Sequence, residues 1–148
     1  MEKKELLISQ IINFFKEKAR SFNIDMAFLY GSWARGYPRE DSDIDIAILF
    51  SPEPTSEDDE FNLITEISLD LLIKFKKEIS ILSIQKDFLK PMLYYNAIVL
   101  GIPIIIVDFD RYISLKLQAI SMMEDFSLFG IGWQFEAAKR NLMELNHV

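Results

Sequence analysis

The sequence predicts a single α/β domain of the α+β type, and three observations support this class. A single core is typically built from about 100 to 200 residues, and the chain has 148. Half of its residues are hydrophobic, which excludes disordered and low-complexity classes. Helical periodicities alternate with short apolar runs of strand length. We therefore expect one domain over 1–148, with a core at about 1–107 and a helical extension at about 110–147.

The first part of the chain predicts a helix, a strand and a sharp bend. Apolar residues recur near the spacing of one helix face at 3–21, so this segment is expected to be helical. Residues 25–30 read DMAFLY, a short run closed by Gly31, which is typical of a buried strand. Ser32 then begins a brief helical turn that Gly36 ends.

The segment at 43–50 predicts a strand with two unlike faces. It reads DIDIAILF. Because side chains alternate across a strand, Asp43 and Asp45 share one face, while Ile44 and Ile46 share the other. The apolar face is expected to pack in the core, so the opposite face carries the paired charge.

The second half contains the remaining predicted elements. Pro52 and Pro54 interrupt the chain before the next helix, and Pro91 fits a later helix only in its first turn. Gly130 and Gly132 are expected to separate two C-terminal helices. The predicted helices lie at about 56–76, 86–100, 111–126 and 133–145, and the predicted strands at about 79–84 and 102–107. This order leaves open whether the sheet is parallel or mixed.

Composition excludes several classes of protein. The chain has 16 Lys and Arg against 23 Asp and Glu, a net charge of −7, so bulk nucleic-acid binding is not expected. It has no cysteine and one histidine, His147, which excludes thiolate and multi-histidine metal centres. The longest apolar stretch, 97–107, is shorter than the roughly 20 residues of a membrane span. With no leader-peptide pattern, we expect no membrane association and a cytoplasmic location.

The stretch from Gly31 to Asp45 contains the residues with the most specific chemistry. A glycine at a strand end lets backbone N–H groups approach a phosphate, and the hydroxyl of Ser32 adds a donor. Arg35 and Arg39 lie nearby, and their guanidinium groups match phosphate oxygens. A Gly-Ser pair alone, however, is usually only a turn.

Two carboxylates lie close together at the start of the following strand. Ser42 precedes Asp43 and Asp45, whose Cα atoms are about 6.6 Å apart at ~3.3 Å per residue. Such carboxylates repel each other unless a cation lies between them. Mg²⁺ takes oxygen ligands and keeps positions for substrate phosphates. Alternatively, Asp43 and Asp45 form only an ordinary charged strand face. Because they follow the predicted phosphate-binding bend, however, the two residues suggest metal-assisted phosphoryl chemistry.

The combined motif resembles the minimal nucleotidyltransferases of the DNA polymerase β superfamily. Their signature is Gly-Ser-x-Ala-Arg-Gly, a short loop, and then Ser-Asp-x-Asp followed by an apolar residue. The signature is complete at Gly31, Ser32, Ala34, Arg35, Gly36, Ser42, Asp43, Asp45 and Ile46. The resemblance extends from the first helix to about residue 107.

The resemblance implies a fold, a reaction and a set of site residues. The fold is a mixed four-stranded sheet with helices packed on one side. The reaction moves a nucleoside monophosphate from a nucleoside triphosphate to an acceptor hydroxyl and releases pyrophosphate. The expected case is AMP from ATP, although another nucleoside triphosphate could be the donor of its own monophosphate. Positioning and charge neutralisation do most of the work. The nucleotide-binding residues assigned in this way are Gly31, Ser32, Arg35 and Ser42, and the catalytic and Mg²⁺-binding residues are Asp43 and Asp45.

One position departs from the family pattern. These enzymes normally have a third carboxylate on a neighbouring strand, in a segment that reads roughly Val-Asp-Leu-Val. The corresponding segment at 79–82 has Ser80 at the acid position, which predicts retained nucleotide binding with weakened or lost catalysis and puts the second metal ion in question. Glu78 shares the parity of Ser80 and is a candidate substitute metal ligand, although it also fits an ordinary strand start.

Minimal nucleotidyltransferases often work beside a HEPN-family protein, as an antitoxin that attaches AMP to the HEPN ribonuclease or binds it. The resemblance therefore implies a HEPN-family partner. It leaves two functions open, an adenylyltransferase and a catalytically weakened binding antitoxin or nucleotide-sensing subunit. Nucleotidylation of a small antibiotic is disfavoured, because it needs additional substrate-binding structure. The aromatic and methionine-rich stretch at 122–135 is either core or a docking surface.

Overall fold

The computed structural model describes residues 2–36, 43–85 and 90–146. Helices and strands alternate along these segments, as the sequence predicts. The elements are α1 (Glu2–Lys18), β1 (Ile24–Tyr30), α2 (Ser32–Arg35), β2 (Ile44–Phe50), α3 (Glu57–Phe75), β3 (Ile79–Ser83), α4 (Pro91–Ile98), β4 (Ile102–Ile106) and α5 (Phe109–Asn146).

The four strands form one mixed sheet in the order β3-β2-β1-β4. β1 runs antiparallel to both of its neighbours, β2 and β4. β2 and β3 are parallel, since α3 carries the chain back across the sheet between them. The mixed four-stranded sheet implied by the family resemblance is therefore confirmed.

Helices cover both faces of the sheet, so the expectation of helices on one side is wrong. Leu29 and Ile46 face the cluster built with α1 and α3. Phe28 and Ala47 face the opposite way, into a second cluster built with α4 and the first part of α5. The central strands β1 and β2 are buried on both faces. The apolar run of β1 allows this, and in β2 the charged alternation ends at Asp45, after which residues 46–50 are all apolar.

Local sequence explains where α3 begins and ends and where α4 begins. The hydroxyl of Ser56 accepts a hydrogen bond from the Asp59 N–H at 3.1 Å and caps α3, which ends at Lys76 in the left-handed conformation. Pro91 occupies the first turn of α4, where its missing N–H has no intrahelical partner in any case. The bounds of α3 agree with the predicted helix at about 56–76, and Pro91 lies in a first helical turn as expected.

The C-terminal segment is one helix of 38 residues, not the two that were predicted. An isolated glycine costs a helix only about 1 kcal/mol and does not remove a hydrogen bond, so Gly130 and Gly132 do not break it. Met122 packs beside the core, whereas Trp133 and Phe135 are 61% and 69% exposed. The side chains of 128–131 lie outside the described set. Among the described helices, none combines the length and apolar character needed to cross a bilayer.

An ion pair joins the start of α5 to the sheet. Asp25 of β1 is 3% exposed, and its Oδ1 accepts a hydrogen bond from Arg111 at 3.0 Å. Asp108 accepts from the backbone N–H of Arg111 and also forms a salt bridge with its side chain. Within the described segments, Oδ2 of Asp25 has no hydrogen-bond partner. Burial is the larger influence on Asp25 and raises its pKa, although the charge of Arg111 opposes the rise.

Candidate functional site

The β1–β2 hairpin brings the bend and the carboxylates together. Tyr30, the last residue of β1, pairs directly with Asp45 of β2. Gly31 follows at once, and a Cβ placed on it would lie 3.2 Å from Cγ of Asp45 and closer still to Oδ2. The Asp45 carboxylate therefore points at the bend that the sequence predicts to hold phosphate.

Two glycines with positive φ shape this bend. Gly31 has φ +75°, and Gly36 has φ +88° and ends α2 in the left-handed conformation. Between them Trp33 is buried in the core and fixes α2 to the domain. Ser32 is half-buried and Arg35 is exposed, so both can meet a ligand at the surface.

The predicted faces of β2 are confirmed by packing. Ile44 and Ile46 are buried in the cluster on the α1 and α3 side. Ala47, which shares parity with Asp43 and Asp45, belongs to the cluster on the opposite side. Asp45 thus lies on the face covered by α4 and α5, at the end of the sheet where β2 begins, and the exposed Asp43 directly precedes this strand.

Ser80 lies next to Asp45 on the neighbouring strand. The two residues are Cα partners in the parallel β2–β3 pair, and Leu82, two positions later, packs on the same face. Glu78 is exposed, and its backbone carbonyl accepts a hydrogen bond from the Ile44 N–H at 3.0 Å. In the described part of the chain, no group of three His, Cys, Asp or Glu residues is arranged to hold a metal ion. Glu78 is thus not gathered with the two aspartates.

Electrostatics at the hairpin favour an incoming cation. Burial, followed by the charge of Asp43, raises the pKa of Asp45. Burial, followed by the charge of Asp45, raises the pKa of the Tyr30 phenol. Within residues 2–36, 43–85 and 90–146, neither aspartate forms a salt bridge. A divalent cation would offset the repulsion between the two carboxylates, which therefore fit a metal such as Mg²⁺.

A small cavity of about 160 Å³ opens beside the bend. Part of its wall comes from α4, which contributes Asn96. No sequence pattern had indicated this residue. The lining residues are Tyr30, Gly31, Ala34, Arg35, Asn96 and Leu100. A Cβ on Gly36 would also lie 3.6 Å from Nζ of Lys4, so α1 brings a cation to the other side of the bend. The predicted nucleotide-binding residue Ser42, together with Arg39, lies outside the described residues.

A protein-family model matches more than half of the chain. Residues 9–110 match the family model described as polymerase beta, nucleotidyltransferase. The matched region contains the bend, both aspartates and the whole sheet. No curated protein sequence matches the chain.

Several solved structures share the fold at low sequence identity. A chain from a toxin–antitoxin crystal structure with AMP-PNP has 16% identity and a TM-score of 0.66, over 85% of this chain and 97% of that chain. A chain from the tri-AMPylated Shewanella oneidensis HEPN toxin in complex with its MNT antitoxin has 14% identity and a TM-score of 0.63, over 88% and 98%. A chain from the MntA-HepT toxin–antitoxin structure has 14% identity and a TM-score of 0.63, over 87% and 97%.

Proposed function

Because the chain belongs to the polymerase beta nucleotidyltransferase family, we propose that it transfers AMP from ATP to a hydroxyl group of a HEPN-family partner protein, with Mg²⁺ as cofactor. The observation that carries this proposal is the approach of the Asp45 carboxylate to Gly31. It puts a candidate metal ligand and a candidate phosphate-binding bend within one small region of the surface.

The residues of the bend have the chemistry to hold the triphosphate. Backbone N–H groups at Gly31 and the hydroxyl of Ser32 donate hydrogen bonds to phosphate oxygens. Arg35 and Lys4 supply positive charge at the two sides of the bend. Because the chain as a whole is acidic, these local donors decide where a polyanion binds.

Asp43 and Asp45 would hold Mg²⁺ on the shared face of β2. When bound, the ion neutralises phosphate charge and favours displacement of pyrophosphate by the acceptor hydroxyl. The half-buried position of Asp45 keeps its carboxylate from rotating freely into solvent. Positioning of the α-phosphate against the acceptor oxygen is then the main task of the protein.

The neighbouring structures support the proposed partner. One of them is a complex of a tri-AMPylated HEPN toxin with an MNT antitoxin, and another contains AMP-PNP. A protein acceptor also suits an open site, since Arg35 and Asp43 are exposed at the end of the two central strands.

Co-expression with a HEPN-family protein tests the proposal. The partner is purified and incubated with this chain, ATP and Mg²⁺. Its mass is then measured by intact-protein mass spectrometry. We expect the mass of one or more AMP groups to be added with the wild-type chain and not with Asp45→Asn. An unmodified partner together with no ATP binding by the wild-type chain contradicts the proposal.

A second function is favoured by Ser80, which pairs with Asp45 where the family has an acid. In this alternative the chain binds ATP and the HEPN partner but transfers AMP slowly or not at all, so that it acts as a binding antitoxin. The two functions differ in one measurement. Inhibition of the partner that persists without added mass, and with Asp45→Asn, supports binding alone.

A further inference from the structure

A glycine just after α4 allows this helix to pack closely against the end of β1. A Cβ on Gly101 would lie 2.7 Å from the carbonyl oxygen of Leu29 and still closer to that of Ala97. Both neighbours are backbone atoms, so a larger residue could not be accommodated by a side-chain rotation. Gly101 therefore permits the close approach that brings the end of α4 to the bend.

The other side of α4 is fixed by the core. Tyr94 is 2% exposed, and its hydroxyl accepts a hydrogen bond from the Gln85 N–H at 3.2 Å. Ala97 and Ile98 are also buried in the cluster beneath the sheet. With the inner face occupied in this way, Asn96 is left half-buried at the rim, on the wall of the cavity beside Gly31.

The walls of this cavity suit a flat heteroaromatic ring. Leu100 is apolar, Tyr30 is aromatic, and Asn96 contributes an amide that both donates and accepts hydrogen bonds. A volume of about 160 Å³ is well below the roughly 300 Å³ at which whole small-molecule sites begin. The cavity therefore has room for one ring system of a ligand whose remaining part lies outside it.

We propose that Asn96 selects the adenine base of the nucleotide, with the triphosphate lying over the Gly31–Ser32 bend. An asparagine amide matches adenine because it accepts from the exocyclic amino group and donates to the adjacent ring nitrogen, as in the pairing of Asn with adenine in DNA recognition. This inference rests on the proposed function, since it assigns a specificity to the same site.

Binding measurements separate the base from the phosphates. Calorimetric titrations with ATP, GTP and inorganic tripolyphosphate, each with excess Mg²⁺, are made on the wild-type chain, Asn96→Leu and Asn96→Asp. We expect the wild type to bind ATP more tightly than either GTP or tripolyphosphate. Asn96→Leu should weaken ATP binding about tenfold, as loss of a bidentate base contact does, and change tripolyphosphate binding less than about twofold.

Asn96→Asp tests the hydrogen-bonding edge itself. An aspartate keeps the acceptor oxygens but loses both donors, so the preference for ATP over GTP should fall, because guanine offers two N–H donors on its Watson–Crick edge. The added negative charge repels both triphosphates alike and cancels in their ratio. Asn62→Asp, on an exposed position of α3, is the matched control and should leave every affinity unchanged.

The outcomes distinguish this inference from the proposed function. A wild-type chain that binds neither ATP nor tripolyphosphate contradicts both. Equal binding of ATP and tripolyphosphate leaves the phosphate site standing and overturns the role of Asn96. Equal losses for all three ligands in Asn96→Leu, or an unchanged ATP to GTP ratio in Asn96→Asp, would mean that Asn96 is only structural.

Discussion

The carboxylate of Asp45 occupies the space that a Cβ on Gly31 would need. The bend and the acid are therefore fitted to each other, and glycine is required at this position for space as well as for its φ of +75°. A substitution at either residue should therefore change the position of the other.

Gly31→Ala should displace the Asp45 carboxylate and weaken Mg²⁺-dependent ATP binding at least about tenfold, as loss of a well-placed charged contact does. Gly36→Ala is a control for positive φ, because its φ is +88° but its Cβ would meet only Lys4 Nζ at 3.6 Å. It carries the left-handed penalty of about 1 kcal/mol, whereas Gly31, at φ +75° and ψ −152°, lies in a region that essentially only glycine adopts, so Gly31→Ala should lower the melting temperature further. Equal ATP affinities in the two variants would show that the contact with Asp45 is unimportant.

Asp45→Asn should abolish Mg²⁺-dependent ATP binding while leaving the melting temperature unchanged or higher. Burial and the charge of Asp43 raise the pKa of Asp45, so the ionised carboxylate is less favourable in the folded chain than in the unfolded chain, and a neutral amide relieves this. Isothermal titration calorimetry measures the ATP affinity, and differential scanning fluorimetry measures the melting temperature. Glu66→Gln, at an exposed position of α3, should alter neither. A large fall in melting temperature would assign Asp45 a structural role instead.

Ser80→Asp should increase the rate of AMP transfer at saturating ATP and Mg²⁺. Ser80 pairs with Asp45, so an acid there would stand beside the two carboxylates and complete a set of three ligands. Transfer of labelled AMP to the partner is the measurement, and Ser80→Asn controls for size without charge. A rapid wild-type reaction that is lost in Glu78→Gln would instead identify Glu78 as the third acid.

Asp25 should make the stability of the domain depend on pH. Because burial raises its pKa above the ordinary value of 3.8, the folded chain holds this proton more tightly than the unfolded chain. Its contribution to the free energy of unfolding is then fully present below about pH 3.8 and is lost as the pH rises through the higher, folded value. Urea unfolding of the wild type and Asp25→Asn across this range should show the wild type losing stability relative to the variant. The opposite trend would mean that Arg111 dominates.

The elements near the site could be predicted because local patterns determine them. The alternation from Asp43 onward fixed which face carries the acids, and Gly31 and Gly36 marked the two ends of the bend. The packing partners were not predictable in the same way. Whether α4 covers the face of Asp45 depends on Gly101 meeting the backbone of Leu29, a contact between distant segments that leaves only a single glycine as its signal.

The C-terminal helix shows a different limit. Glycine is read as a breaker because it is common at helix ends, yet Gly132 has open space around it and continues α5 without strain. Likewise, the apolar run of β1 predicted a buried strand, but the expectation that all helices pack on one side left the second helical layer unpredicted. In both cases the tertiary arrangement outweighed a weak local preference.

The hairpin origin of the site also has a consequence for how the chain folds. Tyr30 and Asp45 meet by closing one short connection, whereas Ser80 reaches them only after the whole of α3 has crossed the sheet. Closing the shorter loop loses less chain entropy, so the bend and its acid can assemble early in folding, before the parallel strand arrives. Pulsed hydrogen exchange should accordingly protect the amides of β1 and β2 before those of β3, and simultaneous protection would contradict this order.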